Sequence, residues 1–354
     1  MIRIKNGFLT KAVFGVFMFC FMMTSKAFSD DALFKNELTF YGDNTEFFAP
    51  YRLRQTLLGQ QFESTLLIST GPRTSFEGGI FLDHPSAQAT NTTVNPVFAF
   101  KFHSDDFVGI LGTLQTIHRH GLIEPLEVTT LELTRPIEYG LQWLQTGSAY
   151  KMDAFLNWQT ILNPSQRETF DYGGTAELPV FSFASLLGQY HGYHVGGVTY
   201  PGPVWNNFAV ALGPQFQLDG PVGSRDSLSL LALNSKTIDL TAYPGPTVGY
   251  GFYAKAVVWL FPGFNVFGID WIGQDYYSVE GDANYNSVGY DGVYYQSSRT
   301  YEEAGVQFEQ EIESHILFDA EFRSHWIDSS WANSFRFVVQ VPFDVPVSLP
   351  HHGE

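Results

Sequence analysis

The chain has 354 residues, of which 16% are aromatic, and its formal net charge is −17. So acidic a composition lacks the basic face that nucleic-acid binding demands, and we exclude that class of partner. The single cysteine, Cys20, excludes a disulfide framework. Beyond the N-terminus, no run approaches about 18 apolar residues, which excludes membrane-spanning helices.

The N-terminus has the pattern of a secretory signal peptide. Cations at positions 3, 5 and 11 precede the apolar residues 12–23, and a small-residue cleavage site ends at Ala27. We predict that residues 1–27 form the signal peptide, with cleavage after Ser29 as the alternative. Removing residues 1–27 takes away four cations and no acid, which leaves a net charge of −21.

Beyond the signal peptide, apolar and polar side chains alternate with a period of two, as in β-strands. In residues 315–326, for example, Phe318, Phe322 and Trp326 share one face, whereas the other face is charged. Most segments are about 10 to 13 residues long, as in tilted transmembrane strands. Turn signals such as Gly71-Pro72 and Pro262-Gly263 separate them. The candidate strands are residues 54–69, 73–83, 98–103, 107–117, 137–146, 150–159, 167–178, 181–194, 205–217, 226–233, 250–260, 264–274, 304–312, 315–326 and 335–345.

This pattern predicts an all-β fold, a single antiparallel transmembrane β-barrel over residues 54–346. Because bacterial barrels have an even number of strands, we expect about 14, within a range of about 12 to 16. Residues 28–53 do not alternate cleanly, so they form either a first strand or a periplasmic segment that plugs the barrel floor. Residues 347–354 are predicted to be a C-terminal tail.

Four stretches read as loops: residues 85–93, 118–135, 196–204 and 276–301. The last is acidic and rich in tyrosine. Because long loops of such barrels face the outside, we place it there. We expect residues 118–135 to fold into the lumen.

The C-terminal strand, residues 335–345, resembles the closing strand of Gram-negative outer-membrane β-barrel proteins of the porin-like kind. This chain departs from their pattern by running on to residue 354. The resemblance, one of strand pattern and signal peptide rather than of a specific family, implies an outer-membrane location. It also implies recognition by the barrel-assembly machinery and contact with outer-membrane lipids and lipopolysaccharide. It leaves open whether the protein forms an oligomer.

Charged side chains occupy the face of the strands that should line the lumen. They could set solute preference, as charged rings do in pores, or pair across neighbouring strands and fill the interior. These lumen-lining candidates are Lys101, Lys151, Asp153, Lys255, Asp319, Glu321, Arg323 and Arg336.

Catalytic and metal-binding patterns are weak in the sequence. His118 with His120, and His191 with His194, form two remote pairs, whereas zinc needs three or four converging ligands. The spacing His-x-Ser, which puts both groups on one strand face, occurs only at His84-Pro85-Ser86, where proline indicates a strand end. In Ser324-His325 and His103-Ser104 the two side chains are adjacent and point to opposite faces. We therefore predict no catalytic residues, no metal, no cofactor and no enzymatic activity.

The function that follows is that of an outer-membrane barrel acting as a passive channel or porin-like conduit for small solutes or an exported polymer. The alternative is a closed structural or interaction barrel, whose acidic loop binds divalent ions, lipopolysaccharide or a partner. A lipid-modifying barrel enzyme is a third candidate, and a secreted soluble β-sandwich a fourth.

Overall fold

The structure, a computed structural model, describes residues 32–47, 51–86, 92–145, 147, 149–163, 165–197, 204–220, 225–238, 247–312 and 315–347. The predicted signal peptide, most of the predicted loop 196–204 and all but the first residue of the predicted C-terminal tail lie outside these ranges. Among the described residues, no helix has the length and hydropathy needed to cross a membrane.

The chain folds into a closed antiparallel β-barrel of 16 strands. Each strand pairs with the next along the chain, and β1 closes the barrel by pairing with both β2 and β16. A short segment, β17, continues β16 along β1. The strands are β1 (Ala32–Glu46), β2 (Gln55–Gly71), β3 (Thr74–Pro85), β4 (Thr93–His103), β5 (Phe107–Thr113), β6 (Tyr139–Gln145), β7 (Lys151–Thr160), β8 (Thr169–Phe181), β9 (Ala184–Val195), β10 (Trp205–Asp219), β11 (Arg225–Ile238), β12 (Val248–Phe261), β13 (Phe264–Gln274), β14 (Ser298–Ile312), β15 (Ile316–Ile327), β16 (Ser330–Pro342) and β17 (Val345–Val347).

The barrel predicted from the alternation is confirmed, but the number of strands is 16 rather than 14. One further strand is β1, which lies in the segment 28–53 that the sequence left open. Its outward face mixes Phe34 and Phe40 with Asn36 and Asn44, so the alternation is broken. Pairing with β2 and β16 nevertheless satisfies its backbone on both sides.

Side chains obey the inside–outside alternation of a membrane barrel. In β4, for example, Phe98, Phe100 and Phe102 are exposed on the outer wall, whereas Ala99 and Lys101 are buried inside. An apolar outer face is stable only against lipid, whereas a polar inner face can pair with water or with other polar groups. The wall is therefore built for a bilayer.

The connections differ at the two ends of the barrel. At one end, here called the short-turn end, β2 joins β3 through residues 72–73 and β12 joins β13 through residues 262–263. The other, the long-loop end, carries residues 114–138 between β5 and β6, and residues 275–297 between β13 and β14. Short turns of outer-membrane barrels face the periplasm, so the long-loop end faces outward.

The connection 114–138, the first inserted segment, turns into the barrel interior. It contains a tight turn, Ile117–Gly121, and a four-residue helix, α1 (Leu131–Thr134). Its contacts are with inward-facing side chains: Gln61 of β2 donates to Leu133 O at 3.2 Å, and Gln189 of β9 accepts from Ile123 N at 2.9 Å. The expectation that this region folds into the lumen agrees with the structure.

The turn 117–121 has an unusual backbone. His118, Arg119 and His120 have positive φ angles of 47°, 47° and 59°. For residues with a Cβ this left-handed conformation costs about 1 to 2 kcal/mol each. Ion pairs of Arg119 and His120 with the buried Glu138, and of His120 with the partly buried Asp153, offset that cost.

The connection 275–297, the second inserted segment, enters the barrel with its first part, residues 276–289, whereas residues 290, 291, 293 and 295 are exposed. The prediction that the whole loop lies outside is therefore wrong for residues 276–289. Tyr276 and Tyr285 are fully buried, with ring centroids 5.0 and 5.4 Å from that of Trp271. On β12, a Cβ at Gly251 would lie 1.9 Å from the Trp271 indole, so glycine makes room for the ring. The tyrosines are core residues because the lumen supplies aromatic surface for them to cover.

The two inserted segments bind each other. Val128 N donates to Glu280 O at 2.7 Å, and Asp282 N donates to Glu124 O at 2.9 Å. Arg135 forms a bidentate pair with the Glu280 carboxylate at 3.0 and 3.1 Å. Together they fill the part of the lumen nearest the long-loop end.

Candidate active site

All eight lumen-lining candidates occupy inward positions of their strands, in phase with buried neighbours. Lys101 pairs with Glu77 at 2.5 Å, and Arg336 pairs with Glu132 of α1. Asp153 contacts His120 at 2.9 Å, and Asp319 accepts from Gln307 at 3.1 Å.

Among these eight, the structure brings Glu321 and Arg323 together, at 2.9 Å. Lys255 lies over the Phe267 ring, 5.3 Å from its centroid, and Lys151 is exposed at the start of β7. The proposed role of the eight in solute preference stays a prediction.

Arg323 joins the wall to the first inserted segment. Its guanidinium pairs with Glu124 of that segment, with Glu303 of β14 at 3.3 Å, and with Glu321 of its own strand. Three carboxylates around one guanidinium hold these elements in a fixed arrangement.

Next to Arg323, three adjacent strands place a serine, a histidine and a glutamate in hydrogen-bonding order. His325 Nε2 lies 2.7 Å from Ser334 Oγ, and His325 Nδ1 lies 3.3 Å from Glu303 Oε2. The register explains the geometry, because Glu303 is directly opposite His325 and Ser334 is on the diagonal, opposite Arg323. A nucleophile, a base and a carboxylate that orients the base are the groups needed for acyl transfer.

Two aromatic side chains hold the histidine in place. Tyr301 Oη lies 2.7 Å from His325 Nδ1 and also donates to Glu303, while the Phe47 ring packs 4.9 Å from the imidazole. Because the Tyr301 hydroxyl donates its hydrogen bond to the Glu303 carboxylate, its oxygen is free to accept from His325 Nδ1–H, which also faces the carboxylate. Nε2 is then free to accept the serine proton. The network therefore favours the tautomer in which His325 acts as a base.

A small polar cavity adjoins this group. Its volume is about 20 Å³, sufficient for one water molecule. Arg52 and Asp282 form an ion pair of 2.7 Å in its wall, and Asp43 Oδ1 has no hydrogen-bond partner among the described residues. The residues around it are Asp43, Thr45, Arg52, Thr129, Thr130, Asp282, Glu321, Arg323, His325, Ser334 and Arg336.

The sequence does not reveal this group, because its three residues lie on separate strands and meet only through the register of the sheet. Ser324 points away from the lumen and bonds Asn333 at 3.2 Å, and His84 bonds Thr92 at 3.0 Å rather than Ser86. Ser334 and Glu303 lie on two different strands that flank the strand of His325. A search for inward-facing serine and acid on flanking strands would have found them, had the register been known.

A second buried polar cluster lies around His120. His120 Nδ1 is 2.9 Å from Asp153 and Nε2 is 3.0 Å from Glu138, while Arg119 Nη1 is 2.5 Å from Glu138. Burial lowers the pKa of His120, but the two carboxylates outweigh it and raise the pKa to about 9. Burial likewise opposes ionisation of Glu138, but the hydrogen bond of His120 and the charge of Arg119 lower its pKa.

This cluster also contains three groups that could ligate a metal. Ligand atoms of Glu127, Asp171 and His191 lie within 4.8 Å of one another, and all three residues are buried. His194, three residues after His191, is on the opposite face of β9, where it bonds Asn206 at 2.7 Å. His118 is exposed. The two histidine pairs noted in the sequence therefore do not form one site. From each pair only one residue, His120 or His191, is buried in the lumen.

Comparison with known proteins gives a family match and a set of similar folds. The family model described as Lipid A 3'-O-deacylase-type matches residues 25–349. No curated protein sequence matches.

Similar solved structures are outer-membrane proteins. The Pseudomonas aeruginosa protein OprD is 15% identical, with a TM-score of 0.54, and the match covers 91% of this chain and 97% of that one. A loop-deletion mutant of OmpT from Vibrio cholerae is 8% identical, with a TM-score of 0.57 and coverage of 89% and 100%. Pseudomonas aeruginosa OccK2, solved with glucuronate, is 10% identical, with a TM-score of 0.51 and coverage of 90% and 100%. At these identities the likeness concerns the fold.

Two conclusions follow from the comparisons. The chain is an outer-membrane β-barrel protein, as its strand pattern predicted. The prediction that it is not an enzyme is wrong, because the matching family model is that of an enzyme family. The sequence shows no catalytic pattern because Ser334, His325 and Glu303, which could act together, lie on three different strands.

Proposed function

The chain belongs to the lipid A 3'-O-deacylase-type family, and we propose that it hydrolyses an acyl ester of an outer-membrane glycolipid, with Ser334 as the nucleophile. The observation that carries the proposal is the contact of 2.7 Å between Ser334 Oγ and His325 Nε2, with Glu303 behind the imidazole. The family description supplies the ester of lipid A as the substrate class.

The reaction would proceed in two steps. Ser334 Oγ attacks the ester carbonyl while His325 accepts the hydroxyl proton; collapse of the tetrahedral intermediate releases the sugar hydroxyl, which takes that proton. Water, activated by His325, then cleaves the acyl-serine, and the products are a fatty acid and free enzyme. Glu303 stays ionised and stabilises the imidazolium in both steps.

Two arginines, each already paired with carboxylates, lie near the serine and supply N–H donors for a developing oxyanion. Arg323 is opposite Ser334 in the sheet, and Arg336 is the next inward residue of β16. Both line the same cavity as the serine. Donors held in place in a site of low water content stabilise developing negative charge strongly.

The location of the site matches that of the substrate. β15 and β16 meet through residues 328–329 at the long-loop end, only a few residues beyond His325 and Ser334. Lipopolysaccharide faces outward, on this side of the barrel. A cavity of about 20 Å³ does not admit an acyl chain, so binding requires displacement of the part of the first inserted segment that covers it, at Thr129 and Thr130.

The test is release of fatty acid from lipid A in mixed micelles by the full chain, measured by mass spectrometry. We expect Ser334→Ala to lower the rate by at least about 10³-fold. The matched control is Ser324→Ala, on the outward face of β15. Both variants should keep the shift in gel mobility on heating that marks a folded barrel. If Ser334→Ala released fatty acid at the wild-type rate, the assignment of Ser334 as the nucleophile would be refuted.

A second candidate function is passage of small solutes, and one observation favours it. Lys151 is exposed and Asp319 only partly buried at the short-turn ends of their strands, so the wall there is solvated and charged. A continuous path would need the inserted segments to move. Conductance of the wild-type chain in planar bilayers tests this function, and a folded protein without conductance would exclude it.

A further inference from the structure

We propose that Glu127, Asp171 and His191 form a binding site for a divalent transition-metal ion, best filled by Zn²⁺, which ties the first inserted segment to the barrel wall. The site lies apart from Ser334 and does not depend on the hydrolase proposal. Glu127 belongs to the inserted segment, Asp171 to β8 and His191 to β9.

The spacing of the three groups fits metal ligands. Zinc binds nitrogen and oxygen ligands at about 2.0 to 2.2 Å in a tetrahedron, which places two ligand atoms about 3.3 Å apart. His191 Nε2 and Asp171 Oδ2 are 3.4 Å apart, and the three ligand atoms all lie within 4.8 Å. The distance between these two atoms is that of a long hydrogen bond, and it is also that of two ligands of one ion.

One ligand oxygen of the site lacks a partner although it is completely buried. Glu127 Oε2 has no hydrogen-bond partner among the described residues. Glu127 uses only its other oxygen, on Arg119. An unpaired buried polar atom costs about 1 to 3 kcal/mol. A cation bound by this carboxylate oxygen would therefore stabilise the segment.

The charge of the surrounding network points to a divalent cation. Around the site, five carboxylates face three cations when His191 is neutral, as a ligand must be. The carboxylates are Glu127, Glu138, Asp153, Asp171 and Glu280, and the cations are Arg119, His120 and Arg135. One divalent ion would balance the remaining two negative charges.

The donor set selects the kind of ion. Two carboxylates and one imidazole suit zinc and its first-row neighbours, whereas calcium takes six to eight oxygen ligands. Neighbouring amides already hold the carboxylate of Asp171, since Asn157 and Gln159 donate to its Oδ1 at 2.9 and 2.8 Å. Such supporting hydrogen bonds orient a metal ligand.

The test is binding of Zn²⁺ by the folded full chain after chelator treatment and dialysis, with the metal content measured by plasma mass spectrometry. Tail histidines are removed in all samples by His351→Ala and His352→Ala, so that they do not supply the signal. We expect one equivalent of zinc per chain. Co²⁺ in its place should give the visible absorption of a four-coordinate nitrogen–oxygen site.

Variants locate the site. Asp171→Asn and His191→Gln should each weaken zinc binding by at least about tenfold. Removing a residue that only hydrogen-bonds to a metal ligand already causes a loss of this size. His194→Gln, on the same strand but the opposite face, is the control and should bind as the wild type does. Absence of stoichiometric zinc from the folded wild-type barrel would overturn the proposal, as would equal loss in the control. This result is independent of fatty-acid release, so the two proposals fail separately.

Discussion

His325 owes its position to residues on both neighbouring strands, and this makes Glu303 a testable positioning residue. We expect Glu303→Gln to lower kcat by about 10²- to 10⁴-fold with little change in KM, because the amide no longer stabilises the imidazolium. Glu302→Gln, the exposed neighbour on the outward face of β14, is the matched control. The rate and its pH profile are measured on lipid A micelles. Equal activity of both variants would exclude Glu303 from the mechanism.

His120 should make the first inserted segment sensitive to pH. Its pKa is about 9 in the folded protein against 6.5 for a free imidazole. The stabilisation by Asp153 and Glu138 is therefore complete below about pH 6.5 and is lost as the pH rises through 9. The shift corresponds to roughly 3 kcal/mol at most.

Limited proteolysis of the first inserted segment checks this expectation. Cleavage of the wild type should accelerate between about pH 6.5 and 9, because local opening becomes easier as His120 loses its proton. His120→Gln cannot titrate and should be cleaved at a rate that changes little across this range, once the intrinsic pH dependence of the protease is subtracted. A pH dependence that survives in the variant would assign the effect to another group.

At the scale of elements, aromatic packing holds the second inserted segment in the lumen. Tyr285 is fully buried between Trp271 and Tyr301, with ring centroids at 5.4 and 4.9 Å, whereas Tyr290 is exposed. We expect Tyr285→Ala to destabilise the segment by about 3 to 5 kcal/mol, as for other large aromatic residues removed from a core. Tyr290→Ala should have little effect.

The two tyrosine variants are compared by the rate of protease cleavage within residues 275–297. Faster cleavage in Tyr285→Ala alone would show that the buried ring anchors the segment. The barrel itself should stay intact in both, because its strands pair independently of this segment. If the two variants behave alike, the packing of Tyr285 does not hold the segment.

At the scale of the whole molecule, the barrel wall and its contents are separable. Every strand is paired on both sides in a closed ladder, so the wall does not need the inserted segments to satisfy its backbone. We expect a chain in which a short glycine–serine linker replaces residues 276–296 to form a heat-modifiable barrel. With the second segment gone, its conductance in planar bilayers should exceed that of the wild type. An unfolded product would show that the contents are needed for assembly.

The sequence by itself determined the class of fold and the face on which each charge lies. Alternation is a local property, because successive side chains of any strand point to opposite sides. Phe318 and Asp319 could therefore be assigned to lipid and lumen without knowledge of their neighbours. Membrane location followed from the same pattern, since only lipid stabilises so much outward apolar surface.

The tertiary structure alone decided the candidate active site and the contents of the lumen. Ser334, His325 and Glu303 meet through the register of three strands, and register depends on pairing between segments that the local pattern does not specify. The inserted segments carry no periodicity of their own. Their position follows from the aromatic and charged groups that the closed barrel presents to them, and that surface exists only after the strands have paired.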